Sequence, residues 1–179
     1  MDYGVRLKEL ADHINAVDHQ SLDKIKDLII GASKRGGKVI IAGNGGSAAI
    51  ASHVAVDLTK AAGIRSINFN EADLITCFAN DYGYEHWVEK ALESYADSKD
   101  LVILISSSGQ SPNMINAAQK AKAMALVVVT LTGFHDDNSL KKLGNINLWV
   151  NNSHYNTVEG AHQAWLLSIV DEIALQKGK

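Results

Sequence analysis

The sequence predicts an α/β fold in which a parallel sheet is covered by helices on both faces. Three observations carry this expectation. The runs Val39-Ile40-Ile41 and Leu101-Val102-Ile103-Leu104-Ile105 are continuously apolar, as strands buried on both sides are, where a half-exposed strand would alternate. Stretches with apolar residues three and four apart separate such runs, the order that builds a parallel sheet. Each of the two runs also ends in a small polar loop that leads straight into a helical pattern: Gly43-Asn44-Gly45-Gly46-Ser47 and Ser106-Ser107-Ser108-Gly109-Gln110-Ser111.

The elements follow in chain order. Residues 5 to about 34 read as two helices, because Leu7, Leu10, Ile14 and Val17, then Leu22, Ile25, Leu28 and Ile29, recur at helical spacing. Asp18 or Ser21 suits the cap of the second helix, and Gly36-Gly37 ends it. Val5, Leu10 and Ile14 form a stripe that either packs on the sheet or is buried by a partner subunit. A strand over 38–42, a helix over 47–60, a strand over 66–69, helices over 73–79 and 84–96 and a strand over 101–105 come next. Pro112 fits a first helical turn, where its missing N–H costs nothing, and that helix runs to about residue 124. Residues 126–131 and 146–150 are two further strands, and 157–176 is a long final helix. No repeat, linker or low-complexity stretch interrupts the pattern, and a single proline gives no support to a hinge.

Composition narrows the function classes. A chain of 179 residues suits one well-buried domain. A formal charge of −3 without a basic cluster argues against a nucleic-acid partner. The start Met1-Asp2-Tyr3-Gly4-Val5-Arg6 lacks a leader pattern and no apolar run reaches membrane length, so a soluble cytoplasmic protein without a membrane partner is expected. The lone Cys77 excludes an internal disulfide framework, and its apolar neighbours predict a buried, inert thiol.

The two polar loops point to phosphate. A strand that turns abruptly into a helix leaves unpaired N–H groups and the positive end of the helix dipole facing outward. Small residues let the backbone approach an anion, and hydroxyls add donors. The first loop lacks the lysine of a P-loop, and Ala48 stands where G-x-G-x-x-G needs its third glycine. A monophosphate held by backbone and serine hydroxyls therefore fits better than a nucleotide cofactor.

Three further clusters bear on chemistry. His53 and Asp57 lie four apart in the helix after the first loop, a pair that can chelate a metal, serve as orienter and base, or be an ordinary helical pair. Glu159, His162 and Gln163 open the last helix, where a solvated helix start would look the same. Asp81, in Asn80-Asp81, either caps the next helix or contacts substrate. The serines of the second loop have their own plainer explanation as caps of the helix after Pro112.

Gly43-Asn44-Gly45-Gly46-Ser47, His53, Ala79-Asn80-Asp81-Tyr82-Gly83, Ile105-Ser106-Ser107-Ser108-Gly109-Gln110-Ser111 and Thr130-Leu131-Thr132-Gly133, in this order, resemble the SIS (sugar isomerase) domain family, and most of all its bacterial phosphoheptose (sedoheptulose 7-phosphate) isomerases. The resemblance implies a flavodoxin-like three-layer sandwich with a five-stranded parallel sheet. It also implies a single SIS domain over 1–179 with residues 1–36 as oligomerisation helices, and a homotetramer with phosphosugar sites between subunits. Carried over by position, Ser47, Ser106, Ser107, Ser108 and Ser111 hold the sugar phosphate with Gly45 and Gly46 of the first loop. Asn44, Asp81 and Asn156 contact the sugar. His53, Asp57 and Glu159 match a divalent metal site, with zinc the first choice.

The same resemblance shows four departures. Asp57 stands where the isomerases have glutamate, Glu159 where they have glutamine, Asn156 where they have aspartate, and Leu167 where they have a histidine serving as metal ligand and acid/base. Ketose–aldose isomerisation needs a base near carbon and a second proton carrier. Asp57 and Glu159 are the expected catalytic pair, since Leu167 cannot transfer a proton and His162 lies roughly 140° around the helix from it. The expected function is isomerisation of sedoheptulose 7-phosphate to an aldoheptose 7-phosphate for surface-polysaccharide precursors. The alternative is a non-catalytic SIS tetramer that binds a phosphosugar or a protein, resembling the DnaA initiator-associating protein.

Overall fold

Five strands, β1 (Val39–Gly43), β2 (Ser66–Asn68), β3 (Leu101–Ser106), β4 (Val127–Thr132) and β5 (Ile146–Trp149), form an all-parallel sheet in the order β2-β1-β3-β4-β5 in the computed structural model, which describes residues 2–176 and 178. This is the flavodoxin-like order, in which the chain reverses its direction of travel across the sheet between β1 and β3. Gly43 pairs with Ile105 in register, so the two polar loops leave the sheet side by side at that switch point.

Alternate strand residues feed two cores. Val39, Ile41, Ile103, Ile105 and Leu131 face Ile25 and Ile29 of α2 (His19–Lys34), Ile50 and Val54 of α3 (Gly46–Lys60), and Leu166 and Ile169 of α7 (Tyr155–Gln176). Ile40, Ala42, Val102, Leu104 and Val128 face Trp87 and Leu92 of α5 (Trp87–Tyr95) and Met114 and Ala118 of α6 (Pro112–Ala123). Helices on both sides are the physical reason that the central strands read as unbroken apolar runs.

Asp18, not Ser21, caps α2: its carboxylate accepts from the Gln20 and Ser21 amides at 3.2 Å each, a cap worth about 1 kcal/mol. The two N-terminal helices part company in packing. α2 buries Ile25, Ile29 and Ala32, whereas α1 (Tyr3–Asn15) buries nothing and leaves Tyr3, Val5 and Leu7 at 80%, 62% and 67% exposure. Leu10 lies over the bare backbone of Gly160, and the Trp165 indole N–H donates to the Ile14 carbonyl at 2.9 Å, so α1 leans on α7 along one edge only.

Three local expectations are corrected. The helix expected over 84–96 starts at Trp87, because Gly83 at φ 88° ends α4 (Ala72–Tyr82) and the His86 amide returns to the Gly83 carbonyl at 3.0 Å. Asp81 therefore lies in the last turn of α4 and caps no helix. Cys77 is exposed, its thiol 3.8 Å from Asp81 Oδ2. Sequence neighbours on a helix point to different sides, and α4 packs with Leu74, Ile75, Phe78 and Ala79 while the face bearing Cys77 stays open. Among the described residues no helix is long and apolar enough to cross a membrane.

Candidate functional site

The site starts from two helix N-termini that no side chain caps. Gly45, at φ 54°, is the N-cap of α3, and Ser111 is the N-cap of α6 without making a cap hydrogen bond. The serine loop's hydroxyls are accordingly not spent on capping. Ser111 Oγ lies 3.0 Å from Ser106 Oγ, while Ser108 Oγ accepts from the Gln110 amide at 3.2 Å. Gly43 is obligatory for the first loop, because a Cβ there would fall 2.7 Å from that of Ser47.

The second loop is braced from behind. Gly109, at φ 65°, sits against fully buried Asn138, whose amide donates to the carbonyls of His135 at 2.8 Å and Gly133 at 3.2 Å. The Gly133 amide in turn donates to the Ser107 carbonyl at 2.9 Å. Between the loops, Asn44 and Asn113 exchange amide hydrogen bonds of 2.9 and 2.8 Å, and the Tyr84 hydroxyl donates to Asn44 Oδ1 at 3.1 Å.

The result is a cavity of about 200 Å³ walled by Asn44, Ser47, Ser106, Ser107, Ser108 and Ser111 and closed by Tyr155 and Glu159. It suits a phosphate group. A more open cavity of about 440 Å³ adjoins it, lined by Gly46, Ile50, His53, Asn156, Glu159 and Gln163 among others. Glu159 is the wall common to both. Its carboxylate rests against Gly46, where any side chain would collide with it, and Ser107 Oγ donates to Oε1 at 3.5 Å. Burial pushes the Glu159 carboxyl above the ordinary carboxylate range, partly opposed by the Ser107 hydrogen bond.

His53 and Gln163 line the larger cavity, with Gln163 Nε2 3.2 Å from His53 Nδ1, and one turn further along α3 Asp57 Oδ2 lies 3.2 Å from His53 Nε2. α3 and α7 run in the same direction here, since Gly46 meets Glu159 and His53 meets Gln163. Leu167, one turn beyond Gln163, is half-buried against the core that α3 and α7 share. His53, Asp57 and Glu159 are the residues expected to hold a metal, and they do not gather as one ligand set. Gln163 faces His53 Nδ1, Glu159 is turned to Gly46 and Ser107, and Leu167 offers no donor. Among the described residues no three His, Cys, Asp or Glu side chains converge on one point.

The chain thus brings Asn44, Gly46, Ser47, Asn156, Glu159, His53 and the four serines to adjoining cavities, with Gly45 and Asp57 beside them. Asp81 is not brought in: it is exposed on α4, accepting from Asn80 Nδ2 at 2.9 Å. His162, expected in a solvated helix start, is fully buried. Its Nε2 donates to the Thr132 carbonyl at 3.0 Å, and burial pushes its pKa down to about 4 against the opposing effect of that bond. Sequence reading missed Asn113, Tyr84 and Tyr155. Asn113 left one signal, a polar residue in the first turn of a helix on the side that turns inward.

The SIS domain model matches residues 2–133. A phosphoheptose isomerase of Helicobacter hepaticus is 39% identical over 134 residues, covering 72% of this chain and 68% of its own. The phosphoheptose isomerase of Fusobacterium nucleatum is 32% identical over 161 residues, covering 87% of this chain and 82% of its own. The structure of phosphoheptose isomerase GmhA from Neisseria gonorrhoeae superposes with a TM-score of 0.87 at 23% identity, covering 96% of this chain and 94% of that one, which establishes the shared fold. By the extent of these matches the chain belongs to the SIS domain family, and within it groups with the phosphoheptose isomerases.

Proposed function

We propose that this chain is a phosphosugar isomerase of the phosphoheptose type, interconverting sedoheptulose 7-phosphate and an aldoheptose 7-phosphate. The observation that carries the proposal is the junction of a phosphate-sized cavity, built from two uncapped helix starts and five serines, with a second cavity lined by His53, whose Nε2 lies 3.2 Å from Asp57 Oδ2. The phosphoheptose isomerases among the relatives supply the substrate class.

With the phosphate seated on the serine loop, the sugar chain extends past Glu159 toward His53 and Asp57. Asp57 takes the proton from C1 of the ketose, the electron pair forms the C1–C2 double bond of an enediolate, and a proton returns to C2 to give the aldose. Glu159 is the proposed relay for the hydroxyl protons, its burial favouring the protonated form over that of an exposed carboxyl. Aspartate is one methylene shorter than glutamate, about 1.5 Å of reach, so the sugar must sit closer to α3 than a longer base would require.

The same proposal includes a tetramer in which residues 1–36 meet partner subunits, supported by the unburied apolar residues of α1, and a cytoplasmic place in surface-polysaccharide precursor synthesis. A stable monomer by light scattering at micromolar concentration would remove the tetramer. Incubation with sedoheptulose 7-phosphate in D2O should yield an aldose carrying deuterium at C2, detected by NMR. Leu167 favours a second reading, a phosphosugar-binding protein without turnover. Tight binding in calorimetry with no deuterium incorporation would establish that one instead.

A further inference from the structure

The phosphate-suited cavity turns one residue to the outside. Among the residues that line it, Ile105, Ser47, Ser106 and Ser107 are buried, the remaining loop residues and Glu159 are half-buried, and Tyr155 alone is exposed, at 57%. Tyr155 and Glu159 lie one turn apart on α7 and so share a face. Glu159 stands between this cavity and the larger one, and Tyr155 stands between it and the space outside the chain.

Tyr155 is held by its ring. The ring meets that of Phe134 edge-on, with centroids 5.0 Å apart and planes at 65°, an arrangement that aromatic quadrupoles favour. Among the described residues nothing hydrogen-bonds the Tyr155 hydroxyl. Phe134 itself has φ 56°, a left-handed conformation uncommon for a bulky residue, and its amide donates to the Asn152 carbonyl at 2.9 Å. Gly133, just before it, donates its amide to the Ser107 carbonyl at 2.9 Å and lies against Val158 of α7, where any side chain would collide. The serine loop, Phe134 and the start of α7 are thus tied together, and the tie sets the Tyr155 ring beside the serines.

A phosphate seated on those serines has two ways out for whatever it carries. A monoester has one carbon substituent, which passes Glu159 into the larger cavity. A diester has a second, which has to leave on the side that Tyr155 closes. We infer that Tyr155 is a specificity-determining residue: its ring, seated on Phe134, restricts the cavity to terminal phosphomonoesters and sterically rejects phosphodiesters, as well as sugars joined to a nucleotide through pyrophosphate, in which every phosphorus carries two substituents. The inference rests on the serine loop being a phosphate seat, and specifies which phosphate compounds that seat admits.

The test is calorimetry with three probes, inorganic phosphate, sedoheptulose 7-phosphate and the methyl phosphodiester of the same sugar, on wild type, Tyr155→Ala, Tyr155→Phe and Phe134→Asn. Asparagine is chosen at 134 because it tolerates a positive φ while removing the ring. The diester carries one charge less than the monoester, so the ratio of their affinities is compared between proteins, where that difference cancels. Relative to wild type, the monoester-to-diester ratio should fall at least about tenfold in Tyr155→Ala, stay within about twofold in Tyr155→Phe, and fall in Phe134→Asn, with inorganic phosphate bound nearly equally by all four. A wild-type ratio in Tyr155→Ala would overturn the inference. A ratio in Tyr155→Phe as low as in Tyr155→Ala would overturn it too, by moving the discrimination to the hydroxyl, and a wild-type ratio in Phe134→Asn would overturn the seating on Phe134. Wild type that binds neither inorganic phosphate nor sedoheptulose 7-phosphate overturns the phosphate seat itself, and is told apart because inorganic phosphate has no substituent for Tyr155 to exclude.

Discussion

Asn44 and Asn113 exchange two amide hydrogen bonds across the crevice between β1 and β3, at 2.9 and 2.8 Å, with Asn113 only 1% exposed. The backbone pairing of β1 with β3 ends at Gly43 and Ile105, so beyond it this amide pair ties the first loop to the opening turn of α6. Asn113→Leu leaves the Asn44 amide without its partner in a half-buried place, a loss of about 1–3 kcal/mol. Calorimetry should show phosphosugar affinity reduced at least severalfold, and the melting temperature should drop. Unchanged affinity would mean that the loops keep their spacing without the pair.

Ser108 separates binding from stability. Its hydroxyl makes one bond within the chain, to the Gln110 amide at 3.2 Å, on an otherwise braced loop. Ser108→Ala should weaken phosphosugar and inorganic phosphate binding roughly tenfold, the scale of one hydrogen bond to a charged group of about 1.5–3 kcal/mol, and leave the melting temperature almost unchanged. Equal affinity in both proteins would assign the loop a purely structural task.

Asp57→Asn keeps the size of the side chain and removes its basicity. Turnover should fall below detection while phosphosugar affinity stays within a few fold, because the phosphate seat is built from other residues. Leu167→His should raise divalent-metal retention above that of wild type, measured after dialysis, since it adds a nitrogen donor one turn beyond Gln163 on α7. Activity surviving in Asp57→Asn would move the base elsewhere, with Glu159 the next candidate.

His162 makes stability depend on acidity. Its folded pKa of about 4 lies below the ordinary 6.5 because burial disfavours the charged ring. Between those two values the unfolded chain binds the proton and the folded chain does not, so stability falls as pH drops from about 6.5 toward 4 and is flat above that window with respect to this group. The full effect is on the order of 3 kcal/mol. His162→Gln keeps a donor toward Thr132 and does not titrate, so its melting temperature should fall less steeply over the same range. Parallel curves for the two proteins would reassign the acid sensitivity to other groups.

The amino-acid order by itself determined the sheet and the two polar loops that open helices at its carboxyl edge. Continuous apolar runs specify strands buried on both faces, and a glycine or serine loop after such a run can hardly do other than open a helix N-terminus at the sheet's carboxyl edge. Cys77 and Asp81 show where that reading stops: their position around α4, not their neighbours in the chain, decides whether they are covered. His162 shows the converse, a polar residue among site candidates that the fold turns into the core and bonds to Thr132. The Asn44–Asn113 pair and the Gln163–His53 contact were decided only in three dimensions. Each joins residues 69 or 110 positions apart through side-chain hydrogen bonds, which have no period in the sequence and exist only once the packing of α3 with α7, and of β1 with β3, has set the distance.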